Sequence, residues 1–267
     1  MIELIIVSGL IFMVAVAMTM VGKGGGNFYV VILAIVNTPM HQAAATGQFI
    51  LFAASVAAMI VFQKNKAISW SLAVFIGVLT AISAFVGGYF SHSFSGFSLK
   101  FIFAGMLFIA GALMFVPLIE RKGKDKNYLG ILNFKQGKEI YRVNLWISTP
   151  LIVLAGFGSG MVGVSGGSFL VPLMVVACGV PMHRAIGTAS MLIATSAFMG
   201  FAGHAFQGDF NPFQAIPLAM VAILGGLLGG KFALKTKPQY LKTIFAYTNW
   251  LAALFIIMNA IYSKWTI

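Results

Sequence analysis

Gly22-Lys23-Gly24-Gly25-Gly26-Asn27-Phe28 and Gly163-Val164-Ser165-Gly166-Gly167-Ser168-Phe169 are two copies of one pattern, set at matching points in the two halves of the chain. Each copy leads to a second shared element. The first continues to Pro39-Met40-His41-Gln42-Ala43 and Thr46, the second to Pro181-Met182-His183-Arg184-Ala185 and Thr188. Further on, Gly87-Gly88 matches Gly229-Gly230, and Leu99-Lys100 with Phe103 matches Leu241-Lys242 with Phe245. Two similar halves in an oily chain are the usual build of a secondary transporter, whose site forms where the repeats meet.

Hydrophobic residues fill 60% of the 267 positions and charged residues only 8%, and mean hydropathy is +0.98. A soluble domain carries roughly 25% charged residues, so the composition implies an integral membrane protein. The net charge of +12 does not point to nucleic acid. The basic residues sit in short segments between apolar runs, where they set orientation against the bilayer. The single cysteine, Cys178, lies in an apolar run and reads as a small packed residue. Residues 2–22 lack the basic start of a signal peptide, since Glu3 is the only charge ahead of the apolar stretch. They are expected to remain in the mature protein.

Ten apolar segments follow, five per half, near 2–22, 26–37, 43–62, 68–90 and 99–119, then 145–163, 167–179, 185–203, 214–234 and 241–262. A crossing helix needs about 20 residues, which eight segments provide. The second and seventh are short and start at the glycine clusters. If all ten change side, every Lys and Arg except Lys100 and Lys264 collects on one face, as the positive-inside rule requires of the cytoplasmic side. Re-entrant short segments would divide the charges far more evenly. The expected fold is thus an all-α polytopic membrane protein with eight long helices and two short, glycine-initiated ones. Both termini are expected outside the inner membrane of a bacterium. An odd number of segments per half makes the repeats inverted about an axis in the membrane plane. Residues 1–119 form the first repeat, 120–144 a cytoplasmic linker, and 145–267 the second.

In lipid, irregular backbone persists only where protein buries it or it lines a watery cavity. Asn27 and Ser168, directly after the glycines, are expected to cap the short helices, whose first turns suit an anion. All five acids, Glu3, Glu120, Asp125, Glu139 and Asp209, lie outside the apolar segments or at their edges. Cation carriers usually keep a carboxylate inside the bundle. The interior instead holds Lys23. Either it faces an aqueous pocket and is neutralised by an anionic substrate, or it snorkels to the headgroups. The substrate-binding set expected from this pattern is Lys23, Gly24, Gly25, Gly26, Asn27, Gly166, Gly167 and Ser168. Thr46, Gln48, Thr188 and Ser190, at the starts of the third and eighth segments, add neutral hydrogen bonds for oxyanion oxygens. His41 and His183 are candidates for proton coupling, flanked by Gln42, Arg184, Pro39 and Pro181 as positioning or gating residues. His92 and His204 fall in loops on the other face. No metal-ligand spacing and no cofactor motif is present.

The run Gly160-Met161-Val162-Gly163-Val164-Ser165-Gly166-Gly167-Ser168-Phe169-Leu170-Val171-Pro172-Leu173, followed by Ala185-Ile186-Gly187-Thr188, resembles the TauE/SafE family of sulfite exporters. The run Gly22 to Phe28 with Thr46 is similar to a second copy, so the resemblance covers nearly the whole chain. Two departures stand out. Val31 replaces the proline that family copies usually carry after the glycines, a change that straightens the short helix. Lys23 replaces an apolar residue inside the run, a change that bears on substrate choice. The resemblance implies transport of a small sulfur-containing anion such as sulfite or an organosulfonate, with export the expected direction. Alternatives from other classes are a membrane-embedded enzyme, or an accessory subunit, handling a sulfur intermediate. Substrate and lipid bilayer are the expected partners, and the sequence leaves monomer and homodimer open.

Overall fold

The computed structural model describes residues 2–91, 96–115, 130–136, 139–162 and 166–265. Among the described residues ten α-helices make up the bundle: α1 (Ile2–Met20), α2 (Gly26–Ile35), α3 (Met40–Lys64), α4 (Trp70–Tyr89), α5 (Gly96–Leu113), α6 (Leu145–Val162), α7 (Gly167–Pro172), α8 (Met182–Phe206), α9 (Pro212–Lys235) and α10 (Pro238–Trp265). Among the described residues α3, α4, α8, α9 and α10 each hold an apolar window long enough to cross a membrane, and α1, α2, α6 and α7 are shorter apolar helices. The outer surface is studded with large apolar side chains such as Trp146, Phe206 and Phe213. That is the surface of a helix bundle solvated by lipid tails, where every backbone polar group must be satisfied within the helices. The protein is an all-α, multi-pass membrane protein.

To the helices the linker adds one small hairpin, β1 (Ile131–Gln136) and β2 (Glu139–Asn144), paired antiparallel with Ile131 opposite Asn144. Its aromatic side chains explain it. Phe134 packs on Phe75 of α4 with ring centroids 5.5 Å apart, and Tyr141 and Val143 are buried. The linker's basic residues 121–126 lie outside the described residues.

The helices of the two halves exchange partners. In the core, α3 packs on α8 and α9, α4 packs on α8 and α6, α1 packs on α9, and α5 packs on α10. Swapping each helix for its counterpart five places along maps this set onto itself. Phe49 meets Phe201 and Phe52 meets Phe198, each at 5.2 Å between centroids, so α3 and α8 run antiparallel. On α9, Gly225 and Gly229 follow Phe12 and Val16 of α1, while Gly226 and Gly230 follow Ala54 and Val61 of α3. Helices α1, α9 and α3 therefore all point the same way. Because α1 and α3 are parallel, the glycine break and α2 must carry the chain back across between them.

Two glycines show why these contacts are so close. A Cβ on Gly160 of α6 would overlap the Ala84 carbonyl oxygen of α4, and one on Gly226 of α9 would overlap the Ala54 carbonyl oxygen of α3. Small residues let helix backbones meet in lipid, where van der Waals packing replaces the hydrophobic drive.

The short helices differ in a way traceable to one residue. With Val31 in place of proline, α2 is an unbroken ten-residue α-helix. In the second half Pro172 ends α7 after six residues, and Leu173–Ala177 continues as a π-helical turn. Proline lacks the N–H for an i−4 bond and its ring crowds the preceding turn. The wider turn absorbs that conflict, with Cys178 N donating to Leu173 O at 3.2 Å.

Candidate functional site

Both glycine breaks lie at the centre of the bundle. A Cβ on Gly24 would meet Ser55 Oγ at 3.0 Å and Ile193 Cγ2 at 3.3 Å, near the midpoints of α3 and α8. A Cβ on Gly167 would lie 2.6 Å from Gly22 O, so the two breaks touch each other. Gly24 and Gly25 have φ of 68° and 97°, a left-handed backbone that glycine adopts without steric cost.

The caps differ from expectation. Gly25 and Gly166 hold the N-cap positions of α2 and α7, and Asn27 and Ser168 sit two residues inside. At α2 the helix starts as soon as the backbone leaves the left-handed conformation of Gly25, whereas Gly166 already has right-handed helical dihedrals. Released from capping, Asn27 and Ser168 are buried in the bundle, and Ser168 Oγ has no hydrogen-bond partner. Gly26 and Gly167 are the first residues of the two short helices.

Lys23 is 3% exposed. Its Nζ donates to Thr248 Oγ1 at 2.7 Å and sits 4.5 Å from the centroid of the Phe245 ring, both on α10. It therefore reaches into the bundle and does not snorkel to a headgroup. Among the described residues no carboxylate pairs with it. Asn249, next to Thr248, donates from Nδ2 to Ser168 O at 3.4 Å and leaves Oδ1 unpartnered. The hydroxyls of Ser55 and Tyr29 are also buried without partners, beside Gly24 and Gly25 respectively. One ammonium and several unpaired hydroxyls thus gather around the touching breaks. Hydrogen-bond donors around a buried cation form a cradle for an anion.

The other expected site residues disperse. Thr46 is fully buried with its hydroxyl unpartnered. Gln48 donates from Nε2 to Ser159 O at 2.7 Å, and its Oε1 is unpartnered. Thr188 Oγ1 accepts from Ser69 N at 3.0 Å, satisfying the start of α4 from another helix. Ser190 donates to Gly187 O of its own helix at 2.7 Å. Thr188→Val is expected to lower thermal stability by about 1 kcal/mol, the usual cost of a lost helix-start bond, readable from the unfolding midpoint of purified protein. His41 is exposed at the start of α3, whereas His183 Nε2 lies 2.9 Å from Thr236 O. The antiparallel α3 and α8 put these two histidines at opposite ends, away from the breaks. Pro39 and Pro181 are the N-caps of α3 and α8. Gln42 is half-buried, and Arg184 Nη1 donates to Tyr141 OH at 2.8 Å, tying α8 to the hairpin.

His204 is not in a loop. It lies in the last turn of α8, fully buried, while His92 falls outside the described residues. Sequence reasoning also missed Thr248, Asn249, Ser55 and Tyr29. The available signal was the polar pair Thr248-Asn249 in the middle of an apolar segment. Among the described residues no group of three or more His, Cys, Asp or Glu side chains could hold a metal ion.

Residues 7–256 match the sequence profile of the family described as Sulfite exporter TauE/SafE, and the chain belongs to that family. It is similar to a protein of Bacillus subtilis (strain 168) named Probable membrane transporter protein YunE, at 22% identity over 92% of this chain and 94% of that one. It is 25% identical to a Probable membrane transporter protein of Xylella fastidiosa (strain 9a5c), covering 98% of this chain and 95% of that one. A third relative, Probable membrane transporter protein MJ0441 of Methanocaldococcus jannaschii, shares 22% identity over 92% of each chain. No solved structure matches the chain.

Proposed function

We propose that this TauE/SafE-family protein is a secondary transporter that carries a small, singly charged sulfur oxyanion or organosulfonate across the bacterial inner membrane, with export its ordinary direction. The observation that carries the reading is Lys23: an ammonium at the bundle centre whose described partners are one hydroxyl and one aromatic face. Burying an unpaired charge costs several kcal/mol, and a cation–π contact returns only about 2 kcal/mol when desolvated. A monoanion seated against Nζ supplies the missing charge. The hydroxyls of Ser168, Ser55 and Tyr29 serve its oxygens, with Thr46 and Gln48 further along α3.

The repeats 1–119 and 145–267 supply the mechanism. Their exchange of partners supports an inverted two-fold relation, in which two alternative packings of the same helices open the centre to opposite faces. The burial of Lys23, Ser168, Ser55 and Asn249 corresponds to the closed, occluded stage between them. No nucleotide-binding motif occurs in the sequence, so gradients drive the flux. An inside-negative potential expels a monoanion with about 2.3 kcal/mol per 100 mV.

The deciding experiment is proteoliposome flux of labelled sulfite, thiosulfate, sulfoacetate and sulfate under an imposed potential. Saturable flux of a sulfur monoanion is expected; no flux of any of the four would overturn the reading. Topology is checked separately. In whole cells Gln207→Cys is expected to react with an impermeant thiol reagent from outside and Lys237→Cys only after the membrane is opened. Equal labelling from one side would refute the inverted arrangement.

A further inference from the structure

We infer that His204 is a proton-binding group that couples the outer end of the bundle to the packing of α6 against α4. The inference rests on the transport reading above, but its geometry is separate from the Lys23 site. His204 Nε2 lies 3.0 Å from the Gly160 carbonyl oxygen of α6. A carbonyl can only accept, so Nε2 carries a hydrogen in either charge state, and proton exchange is confined to Nδ1. That atom faces Ser91 Oγ at 3.5 Å and Asp209 Oδ2 at 3.6 Å. In the neutral ring Nδ1 is a bare acceptor that Ser91 can serve, and its lone pair confronts the Asp209 carboxylate. Adding a proton from water converts that repulsion into attraction, with Nδ1–H donating toward Oδ2. Removing it restores the first arrangement, so no other reactant is needed.

The surroundings admit both states. The Asp209 side chain is 13% exposed while that of His204 is 0% exposed, which makes the carboxylate the step between water and the ring. The titratable neighbours are few among the described residues. Asp209 comes from the turn before α9, His41 faces the ring from the start of α3, and Tyr89 lies at the end of α4. From α6 the facing group is the uncharged Gly160. Asp209 N also donates to His204 O at 3.3 Å, so ring and carboxylate belong to one compact turn.

Gly160 gives the proton its reach. It sits in the last turn of α6, which ends at Val162. Because Gly160 is wedged on Ala84, α6 has little room to adjust continuously. Close-packed contacts of this kind switch between discrete arrangements. A shift of the His204 ring toward Asp209 changes its hold on Gly160, and with it the seat of α6 on α4.

Two readouts test this. Flux in oriented proteoliposomes is expected to respond to pH on the face bearing residues 207–211, and His204→Gln is expected to lose that response, since an amide bonds Gly160 O but takes up no proton. Asp209→Asn is the second variant, with the same expectation. The other readout needs no anion: hydrogen exchange across 156–162, corrected for intrinsic rates, at about pH 5.5 and about pH 7.5, either side of the usual histidine range. Wild-type protection is expected to differ between the two and the variants to show no difference. An identical pH response in His204→Gln, or none in the wild type, overturns the proton site. Histidine-dependent exchange without flux of any sulfur anion would leave the proton site standing and remove the transport reading.

Discussion

Lys23→Met is expected to weaken anion binding by tenfold to a hundredfold while leaving the folded protein at least as stable as the parent. The two halves of that expectation have different causes. A hydrogen bond to a charged group contributes about 1.5–3 kcal/mol, and 1.4 kcal/mol is a tenfold change in affinity. Methionine keeps the length and apolar bulk of the lysine stem over the Phe245 ring. It removes a charge whose described partners are a single hydroxyl and that ring. Deleting an undercompensated buried charge relieves desolvation, so the unfolding temperature should hold or rise. Titration calorimetry and thermal unfolding of one sample read both. Unchanged affinity would take Lys23 out of the site, whereas a collapse in stability would make it a structural residue.

The second large effect is expected at Gly160→Ala and at Gly226→Ala, either of which should abolish most folded protein in detergent. A single methyl group at these positions overlaps backbone, the carbonyls of Ala84 and Ala54, and backbone in a packed helix cannot rotate aside. Overpacking a core typically costs 1–3 kcal/mol, occasionally more; here no flexible side chain can yield, so a loss at or above about 3 kcal/mol is expected. Gly158 provides the control two residues away, because a Cβ there meets nothing within 4 Å. Gly158→Ala should be neutral or stabilising by up to about 1 kcal/mol through helix propensity. Comparable yields of monodisperse protein from Gly158→Ala and Gly160→Ala would show that α4 and α6 do not meet as described.

The doubled motif carried much of the architecture. The apolar runs locate the ten segments, and the matching glycines locate the two short helices and the central breaks, because each depends on local chemistry. The order in which helices pack was not legible, since apolar stripes facing lipid and protein look alike in sequence. The hairpin was missed for a related reason: six-residue strands rest on Phe75, a residue far back in α4. At the site, Lys23 stood out as a charge in an oily stretch, but its partner Thr248 did not. The repeat positions equivalent to Thr248 and Asn249 are Met106 and Leu107, so a search for matched pairs passes over them. The capping expectation for Asn27 and Ser168 erred by two residues, since Gly25 and Gly166 hold the N-cap positions; at α2 the left-handed turn at Gly25, not a polar side chain, ends the irregular backbone.

The exchange of partners between halves has a consequence for biogenesis. Helices α8 and α9, the main neighbours of α3, are synthesised well over a hundred residues after it. The amino-terminal helices must therefore wait in the bilayer with their small-residue faces and the Lys23 ammonium uncovered until the carboxy-terminal helices arrive. A nascent chain stalled at the linker would be a substrate for membrane quality control, and the two halves expressed as separate polypeptides should survive only when made together.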